Sequence, residues 1–371
     1  MGRIRVLIVD DSVVIRKILT NVLSEDPELE IVGVAANGKI ALQKIPQVNP
    51  DLITLDIEMP VLDGLETLKE IRKDYPKLPV IMFSTLTERG AVATLDALSL
   101  GASDYVTKPA NVGKVSESTE CLRTELVPKI KALVPKFETA LKIPKRATPA
   151  LRAKAGPFQP RRSGPQRVDI VAIGISTGGP NALAELLPAL RGDFPVPIVV
   201  VQHMPPVFTL NLAKRLDNKS ANTVSEGIEG GKLEPGKIWI APGGFHMKVR
   251  RVGTEVELTI NEDPPENSCR PAVDVLFRSV AEIYGAHSLA VVMTGMGYDG
   301  YLGGEEIRER GGTVLAQDEE SSVVWGMPGI VVTSGLSDDV FSLDDLPAAI
   351  MRRVMRGRRD RIDVSKEEVR A

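Results

Sequence analysis

The chain has 371 residues, 43% of them hydrophobic and 26% charged, which is the composition of a globular protein with room for two or more domains. The formal net charge of −3 excludes an overall attraction to nucleic acid or to anionic membrane. The two cysteines, Cys121 and Cys269, exclude a disulfide framework and a clustered zinc site, and no apolar run reaches the roughly 18 residues of a membrane span. We therefore expect a cytoplasmic protein with no nucleic-acid partner and no membrane insertion.

Short apolar runs alternate with segments of helical period up to about residue 135. The runs predicted as strands are Arg5–Val9, Glu30–Val34, Leu52–Leu55, Val80–Phe83 and Asp104–Val106. This alternation is typical of a doubly wound parallel sheet, whose functional residues lie at the carboxyl ends of the strands. A first domain is predicted over residues 1–125.

A basic, proline-rich stretch follows, with no acidic residue between Glu138 and Asp169. Such a composition buries no core, so residues 126–167 are predicted to contain the end of a helix and a linker. A nucleic-acid-binding arm is the alternative, but the stretch has no interleaved aromatic residue beyond Phe158.

The alternation resumes at Val168 and predicts a second α/β domain over residues 168–358, ahead of a charged tail over residues 359–371. Its predicted strands are Asp169–Ile173, Ile198–Val201, Lys237–Ile240, Leu289–Met293 and Thr313–Ala316. A small hairpin is expected around Val249 and Leu258.

Three carboxylates are predicted to meet at one edge of the first sheet. Asp10 and Asp11 follow the first strand and Asp56 follows the third. Converging carboxylates suit Mg²⁺. Ser84 and Lys108, which end the next two strands, add a hydroxyl and an ammonium that suit an aspartyl phosphate. Helix capping by the aspartate pair is the alternative.

The segments Val6–Asp11, Leu55–Pro60 and Tyr105–Pro109 together resemble a response-regulator receiver domain with a flavodoxin-like, CheY-like fold. The resemblance implies that Asp56 is the phosphoacceptor and that Mg²⁺ is held by Asp10, Asp11, Asp56 and the main-chain carbonyl of Glu58. It also implies that Ser84 and Tyr105 are switch residues, that Lys108 binds phosphate, and that the Lys108–Pro109 bond is cis. Tyr105 could equally be a packed strand aromatic.

The segment Gly174–Pro180 follows a predicted strand and contains the pattern Gly-x-Ser-x-Gly around Ser176. This pattern is typical of a nucleophile elbow, which presents the serine on a sharp turn. A phosphate-binding loop or an ordinary turn would have the same composition.

A nucleophilic serine needs a base, and the chain has three histidines. His203 follows the strand Ile198–Val201 and should share the edge of the sheet with Ser176. His246 is second, and His287 precedes a strand at the opposite edge. Asp299, in the loop after Leu289–Met293, could hold the imidazole tautomer. The order Ser, His, Asp differs from that of the α/β-hydrolases.

The segment Gly295–Gly300 is also a Gly-x-Gly-x-x-Gly dinucleotide fingerprint, with Asp318 roughly 20 residues further on. A receiver fused to a dinucleotide-binding domain is therefore the alternative interpretation. It leaves Ser176 and His203 without roles and places an anionic Asp299 in the phosphate loop.

Several segments of the second domain resemble the chemotaxis protein-glutamate methylesterase (CheB) family. They are Gly174–Pro180, Val201–Pro206, Ala241–Met247, Thr294–Gly300 and Gln317–Pro328. Cys269 departs from the family's pattern, in which a histidine often precedes the Arg-Pro pair. The departure affects no member of the proposed triad.

The resemblance implies a doubly wound esterase domain without a cofactor, in which Ser176 is the nucleophile, His203 the base and Asp299 the orienting acid. The main-chain N–H of Met296 would contribute to the oxyanion hole. The implied function is phosphorylation-activated hydrolysis of glutamate γ-methyl esters on methylated chemoreceptors, with deamidation of receptor glutamines. The implied phosphodonor is a chemotaxis histidine kinase.

Overall fold

The computed structural model describes residues 2–108, 115–134, 167–356 and 358. The chain divides into two compact units, residues Met1–Thr139 and Ala140–Ala371. Most of the predicted linker, the predicted tail and Pro109 lie outside the described residues. The domain boundaries and the cis Lys108–Pro109 bond therefore stay predictions.

The first unit is a five-stranded parallel sheet in the order β2-β1-β3-β4-β5. Its strands are β1 Ile4–Val9, β2 Leu29–Ala35, β3 Leu52–Asp56, β4 Val80–Ser84 and β5 Asp104–Thr107. Its helices are α1 Val13–Ser24, α2 Gly38–Val48, α3 Gly64–Asp74, α4 Glu88–Ser99 and α5 Val115–Leu133.

Local sequence explains where these helices begin. Ser12, Asn37, Asp63 and Thr87 are the N-caps of α1 to α4, and each side chain accepts a hydrogen bond from a main-chain N–H of the first turn. β3 and β4 are buried along their whole length, because helices cover both faces of a doubly wound parallel sheet.

The second unit contains a seven-stranded parallel sheet in the order β14-β13-β12-β6-β7-β9-β8, together with a separate antiparallel hairpin, β10-β11. Its strands are β6 Ile170–Ile175, β7 Ile198–Gln202, β8 Thr223–Glu226, β9 Lys237–Ile240, β10 His246–Val252, β11 Glu255–Asn261, β12 Ser288–Val292, β13 Thr313–Gln317 and β14 Asp339–Phe341. Its helices are α6 Gly179–Leu186, α7 Phe208–Asp217, α8 Val273–Tyr284, α9 Tyr301–Glu309, α10 Met327–Thr333 and α11 Leu346–Met355, with a 3₁₀ turn at Gly285–His287.

The predicted fold class is confirmed in both units, and so is the hairpin. Sequence analysis missed β8 and β14, which are the two edge strands of the second sheet. β14 has three residues and none of them is buried, and only Val224 is buried in β8. Neither strand therefore has the apolar run on which the prediction relied.

Strand order determines where each sheet can bind a ligand. In the first sheet the order reverses between β1 and β3, and in the second it reverses at β6, which pairs with β7 on one side and β12 on the other. A crevice opens outside the carboxyl ends of parallel strands at such a switch point. Asp10 and Asp56 lie at the first switch point, and Ser176 lies at the second.

No helix in the described part of the chain has both the length and the apolar character needed to cross a membrane.

Val61 lies in the loop after β3 with a φ of +74°, a left-handed conformation that is strained for a β-branched residue. Its side chain is 76% exposed, so replacing it removes little packing. We expect Val61→Asn to stabilise the first unit by about 1 kcal/mol, because asparagine tolerates this conformation. Both tryptophans, Trp239 and Trp325, lie in the second unit. The variant should therefore raise the temperature of the unfolding transition of the first unit, followed by far-UV circular dichroism. It should leave the temperature of the transition followed by tryptophan fluorescence unchanged.

Val207, with a φ of +71°, offers the reciprocal control in the second unit. Val207→Asn should instead raise the temperature of the transition followed by tryptophan fluorescence. A Val61→Asn variant that melts at or below the parent's temperature would show that the strain is not stored at this residue.

Candidate functional sites

The predicted acidic pocket is present at the carboxyl edge of the first sheet. Asp10 and Asp56 are each 1% exposed, Asp11 is exposed, and one oxygen from each of the three lies within 4.8 Å of the others. The ammonium of Lys108 lies 2.7 Å from Asp56 Oδ2 and 3.1 Å from Asp10 Oδ2. The structure thus brings together the four predicted charged residues of this site.

The pocket holds more negative charge than Lys108 offsets. Burial raises the pKa of Asp56 to about 6 against the opposing hydrogen bond from Lys108, and burial also raises the pKa of Asp10. The same two carboxylates raise the pKa of Lys108 against its own burial. Among the described residues, the Lys108 ammonium is the one polar partner of the buried atoms Asp10 Oδ2 and Asp56 Oδ2. A hard divalent cation would supply the missing positive charge, so the residues fit Mg²⁺.

Ser84 is the last residue of β4, as predicted, and Tyr105 lies within the neighbouring strand β5. The Ser84 hydroxyl is buried and donates to the main-chain carbonyl of Gly90 at 3.0 Å. The Tyr105 ring is 5% exposed, and Lys129 Nζ lies 5.1 Å from its centre. Lys129 also donates to the Tyr105 carbonyl at 2.7 Å, which anchors this residue in its packed position.

Ser176 follows β6 at the switch point of the second sheet and is partly buried. Its N–H donates to the Thr294 carbonyl at 2.9 Å. A Cβ on Gly295 would lie only 2.8 Å from Ser176 Cβ, so the glycine is needed for the two loops to approach this closely. The Gln202 amide donates to the carbonyls of Ser176 and His203 at 3.0 and 3.3 Å, and so ties the two loops together.

His203 and Asp299 form a direct contact, with 2.8 Å between His203 Nε2 and Asp299 Oδ2. On the other side of the ring, His203 Nδ1 lies 3.7 Å from Cys269 Sγ. Burial lowers the pKa of His203, but Cys269 and Asp299 raise it more, to about 10. Among the described residues, no hydrogen bond joins the Ser176 hydroxyl to His203.

The other two histidines do not reach this site. His246 is fully buried in structural contacts, since its Nδ1 accepts from the Ala272 N–H at 3.3 Å and its Nε2 lies 3.1 Å from the Pro264 carbonyl. His287 precedes β12 at the opposite edge of the sheet, as predicted from the topology. The geometry therefore favours His203 over both alternatives.

Asp299 is 3% exposed and accepts five hydrogen bonds. The donors are the N–H groups of Val273, Asp274 and Gly300, the amide of Asn267, and His203. Burial raises the pKa of Asp299, but these hydrogen bonds and the His203 charge outweigh burial and lower it. Asp299 is thus an anion buried next to an imidazole, an arrangement that can stabilise an imidazolium.

The loop Gly295–Gly300 makes a poor phosphate cradle. The N–H of Gly300 donates to carboxylate oxygens of Asp274 and Asp299 at 2.9 and 3.1 Å, where a dinucleotide loop would offer it to a pyrophosphate. Asp318 accepts hydrogen bonds from the N–H and hydroxyl of Ser321. These contacts disfavour the dinucleotide interpretation.

Sequence analysis missed three residues of this site: Asn267, Cys269 as a neighbour of His203, and Asp274. They lie on the segment before α8 and on its first turn, far from the quoted motifs in sequence. Asn267 and Ser268 both have positive φ, which shows that the segment is a constrained loop.

Comparisons with known proteins match both units. Family models of a response regulator receiver domain and of a CheB methylesterase match residues 6–120 and 171–350. Proteins named protein-glutamate methylesterase/protein-glutamine glutaminase from Trichodesmium erythraeum and Nocardioides sp. are both 52% identical to this chain. The alignments cover 95% and 96% of this chain and 100% and 97% of those proteins. The crystal structure of the Thermotoga maritima CheB methylesterase catalytic domain is 43% identical, with a TM-score of 0.49, and covers 50% of this chain and 99% of that chain.

Asp56 should destabilise the first unit in the absence of a cation. Its pKa in the folded chain is about 6, against an ordinary value of 3.8, so the unfolded chain loses its proton first as pH rises. The penalty therefore grows between about pH 4 and pH 6, and it amounts to at most about 3 kcal/mol above that range. We expect Asp56→Asn to stabilise the first unit above pH 6 and to have no effect below pH 4. Urea unfolding followed by circular dichroism at several pH values would measure this, and a pH-independent effect would contradict it.

Proposed function

Because the chain belongs to the CheB methylesterase family, with a response regulator receiver domain ahead of the methylesterase domain, we propose that it hydrolyses glutamate γ-methyl esters on methylated chemoreceptors. The same site would deamidate receptor glutamines, in keeping with the double name of its relatives. The observation that carries the proposal is the contact between partly buried His203 and buried Asp299, together with a serine presented at the switch point of the sheet.

In this proposal Ser176 Oγ attacks the ester carbonyl and His203 takes its proton. Asp299 occupies His203 Nε2, so the accepting nitrogen is Nδ1, the reverse of the assignment in the chymotrypsin triad. Rotation of the serine hydroxyl towards Nδ1, in competition with the Cys269 thiol, would complete the triad. Protonated His203 then gives the proton to departing methanol, and water hydrolyses the glutamyl-serine ester by the same route.

The negative charge that develops on the carbonyl oxygen needs donors close to Ser176. The Met296 N–H donates no hydrogen bond within the described part of the chain, and Met296 follows the glycine that packs against Ser176. It is therefore available as an oxyanion-hole donor, and such a donor is typically worth about 3–4 kcal/mol.

We propose that the receiver controls this reaction by phosphorylation of Asp56, with a chemotaxis histidine kinase as phosphodonor. Asp10, Asp11, Asp56 and the Glu58 carbonyl would hold Mg²⁺, which offsets phosphoryl charge when bound. Lys108 would pair with the phosphoryl oxygens, and the Ser84 hydroxyl and Tyr105 ring would be the switch groups. The crowded charge of the pocket supports this assignment, because the two buried carboxylates and Lys108 are already in contact.

The catalytic assignment predicts that Ser176→Ala abolishes methanol release from methylated chemoreceptor membranes. The loss should reach about 10⁴-fold or more, the effect of removing a triad nucleophile. A small phosphodonor should raise release by the parent and should not raise release by Asp56→Asn. Release by Ser176→Ala at the parent's rate would contradict the proposed nucleophile, and stimulation of Asp56→Asn would contradict the proposed phosphorylation site.

The contact between Cys269 and His203 predicts a shift in pH dependence. His203 must be neutral to accept a proton, so kcat/KM should rise as pH increases towards the raised pKa of His203. Cys269→Ala removes the largest contribution that raises this pKa. The pH range over which kcat/KM rises, the rising limb of the pH profile, should therefore move to lower pH. The chain's other cysteine gives the matched control, since Cys121→Ala lies in the first unit and should leave the limb unchanged. An unmoved limb in Cys269→Ala would show that the thiol does not influence the base.

A further inference from the structure

We propose that Asn267 and Asp274 are positioning residues that fix the orientation of the Asp299 carboxylate through a shared amide. The inference rests on the proposed triad, because it assigns the groups that hold the triad's acid. Neither residue belongs to that triad or to the segments that carry the family resemblance.

Asn267 bridges two carboxylates with a single nitrogen. Its Nδ2 lies 2.8 Å from Asp299 Oδ1 and 2.8 Å from Asp274 Oδ2. A carboxylate accepts and cannot donate, so both N–H bonds of the amide are used, one for each carboxylate. The bridge fixes the distance between Asp274 and Asp299 as well as their relative tilt.

Asp274 connects this bridge to the scaffold. It is fully buried, and its Oδ1 accepts from the N–H groups of Gly300 and Gly303 at 2.9 and 2.7 Å, at the start of α9. Asp299, which lies just before α9, accepts from the first two N–H groups of α8, where Asp274 itself lies. Each aspartate therefore binds the amino terminus of the helix associated with the other.

The charges require a donor at this point. Asp274 and Asp299 are both buried and repel one another, and burial together with Asp299 raises the pKa of Asp274 to about 7. The Asn267 amide lies between the two carboxylates and donates to both. Without it, Asp299 loses a donor on Oδ1 while the repulsion remains.

The loop is built to hold Asn267 in place. Asn267 has a φ of +52°, which asparagine and glycine tolerate better than other residues. The neighbouring Glu266 pairs with Arg278 of α8 through both carboxylate oxygens and exchanges main-chain hydrogen bonds with Cys269. The Asn267 amide thus lies on a turn that is held in place by these contacts.

Asn267→Gly tests the bridge because it removes the amide and tolerates the positive φ. We expect kcat for methyl-ester hydrolysis to fall about 10- to 100-fold, as expected for a displaced catalytic group, with KM unchanged. Ser268→Gly is the matched control. Ser268 is the next residue, is exposed and has a φ of +62°, so its loss should leave both parameters at the parent's values.

Asn267→Asp separates positioning from loop structure. Aspartate keeps the shape of asparagine, so a purely structural role predicts that it is tolerated better than glycine at every pH. The bridge predicts the reverse at neutral pH, because a third carboxylate would face two others. It also predicts that the activity of Asn267→Asp relative to the parent rises as pH falls, since the introduced carboxyl group can donate once it is protonated.

The titratable and charged groups around position 267 that bear on this pH dependence are Glu266, Cys269, Asp274, Arg278, His203 and Asp299. Dividing the activity of each variant by that of the parent at the same pH cancels the titrations that parent and variant share. All variants would be assayed as the full-length chain, and tryptophan fluorescence melting would verify that the second unit is folded.

A folded Asn267→Gly variant with the parent's kcat would overturn the inference, and so would Asn267→Asp activity at or above that of Asn267→Gly at neutral pH. Failure of the proposed function looks different. In that case the parent releases no methanol, or Ser176→Ala releases as much as the parent, whatever residue stands at position 267.

Discussion

The catalytic half of this protein depends on two buried aspartates that each bind the amino terminus of a helix. Asp299 accepts from the start of α8, and Asp274 accepts from the start of α9. The unpaired N–H groups and the positive end of the helix dipole make such a terminus a good site for an anion. The result is a carboxylate that stays ionised inside the protein and has a fixed direction. His203 receives its orientation from that carboxylate.

The two units place carboxylates at the same kind of position and treat them in opposite ways. At the switch point of the first sheet, Asp56 has an ammonium nearby but too few donors, and its pKa is raised to about 6. At the switch point of the second sheet, Asp299 has five donors and a lowered pKa. The first carboxylate therefore still lacks compensating positive charge, whereas the second receives its compensation from hydrogen-bond donors of the protein. The difference is one of hydrogen-bond supply, since both carboxylates are almost fully buried.

The orientation of His203 also defines its surroundings. Asp299 contacts Nε2, which leaves Nδ1 as the other ring nitrogen, and Cys269 Sγ lies 3.7 Å from Nδ1. The residue that departs from the family's pattern thus contacts His203, the proposed base.

Apolar runs and strand-terminal polar residues predicted the two parallel sheets apart from their short edge strands, and they predicted the acidic pocket. They also singled out Ser176, His203 and Asp299, but the roles of these residues in the proposed triad came from the family resemblance. Those features are local, since each residue follows a strand and parallel strands align their carboxyl ends at one edge. The edge strands β8 and β14 escaped prediction because they are short and little buried. Asn267, Asp274 and Cys269 escaped because their roles depend on how α8, α9 and the preceding loop pack together. The tertiary structure alone likewise decided which nitrogen of His203 faces Asp299 and which donors fix that carboxylate. These hydrogen bonds join residues about 30 to 100 positions apart, and such distant contacts leave no periodic pattern in the sequence.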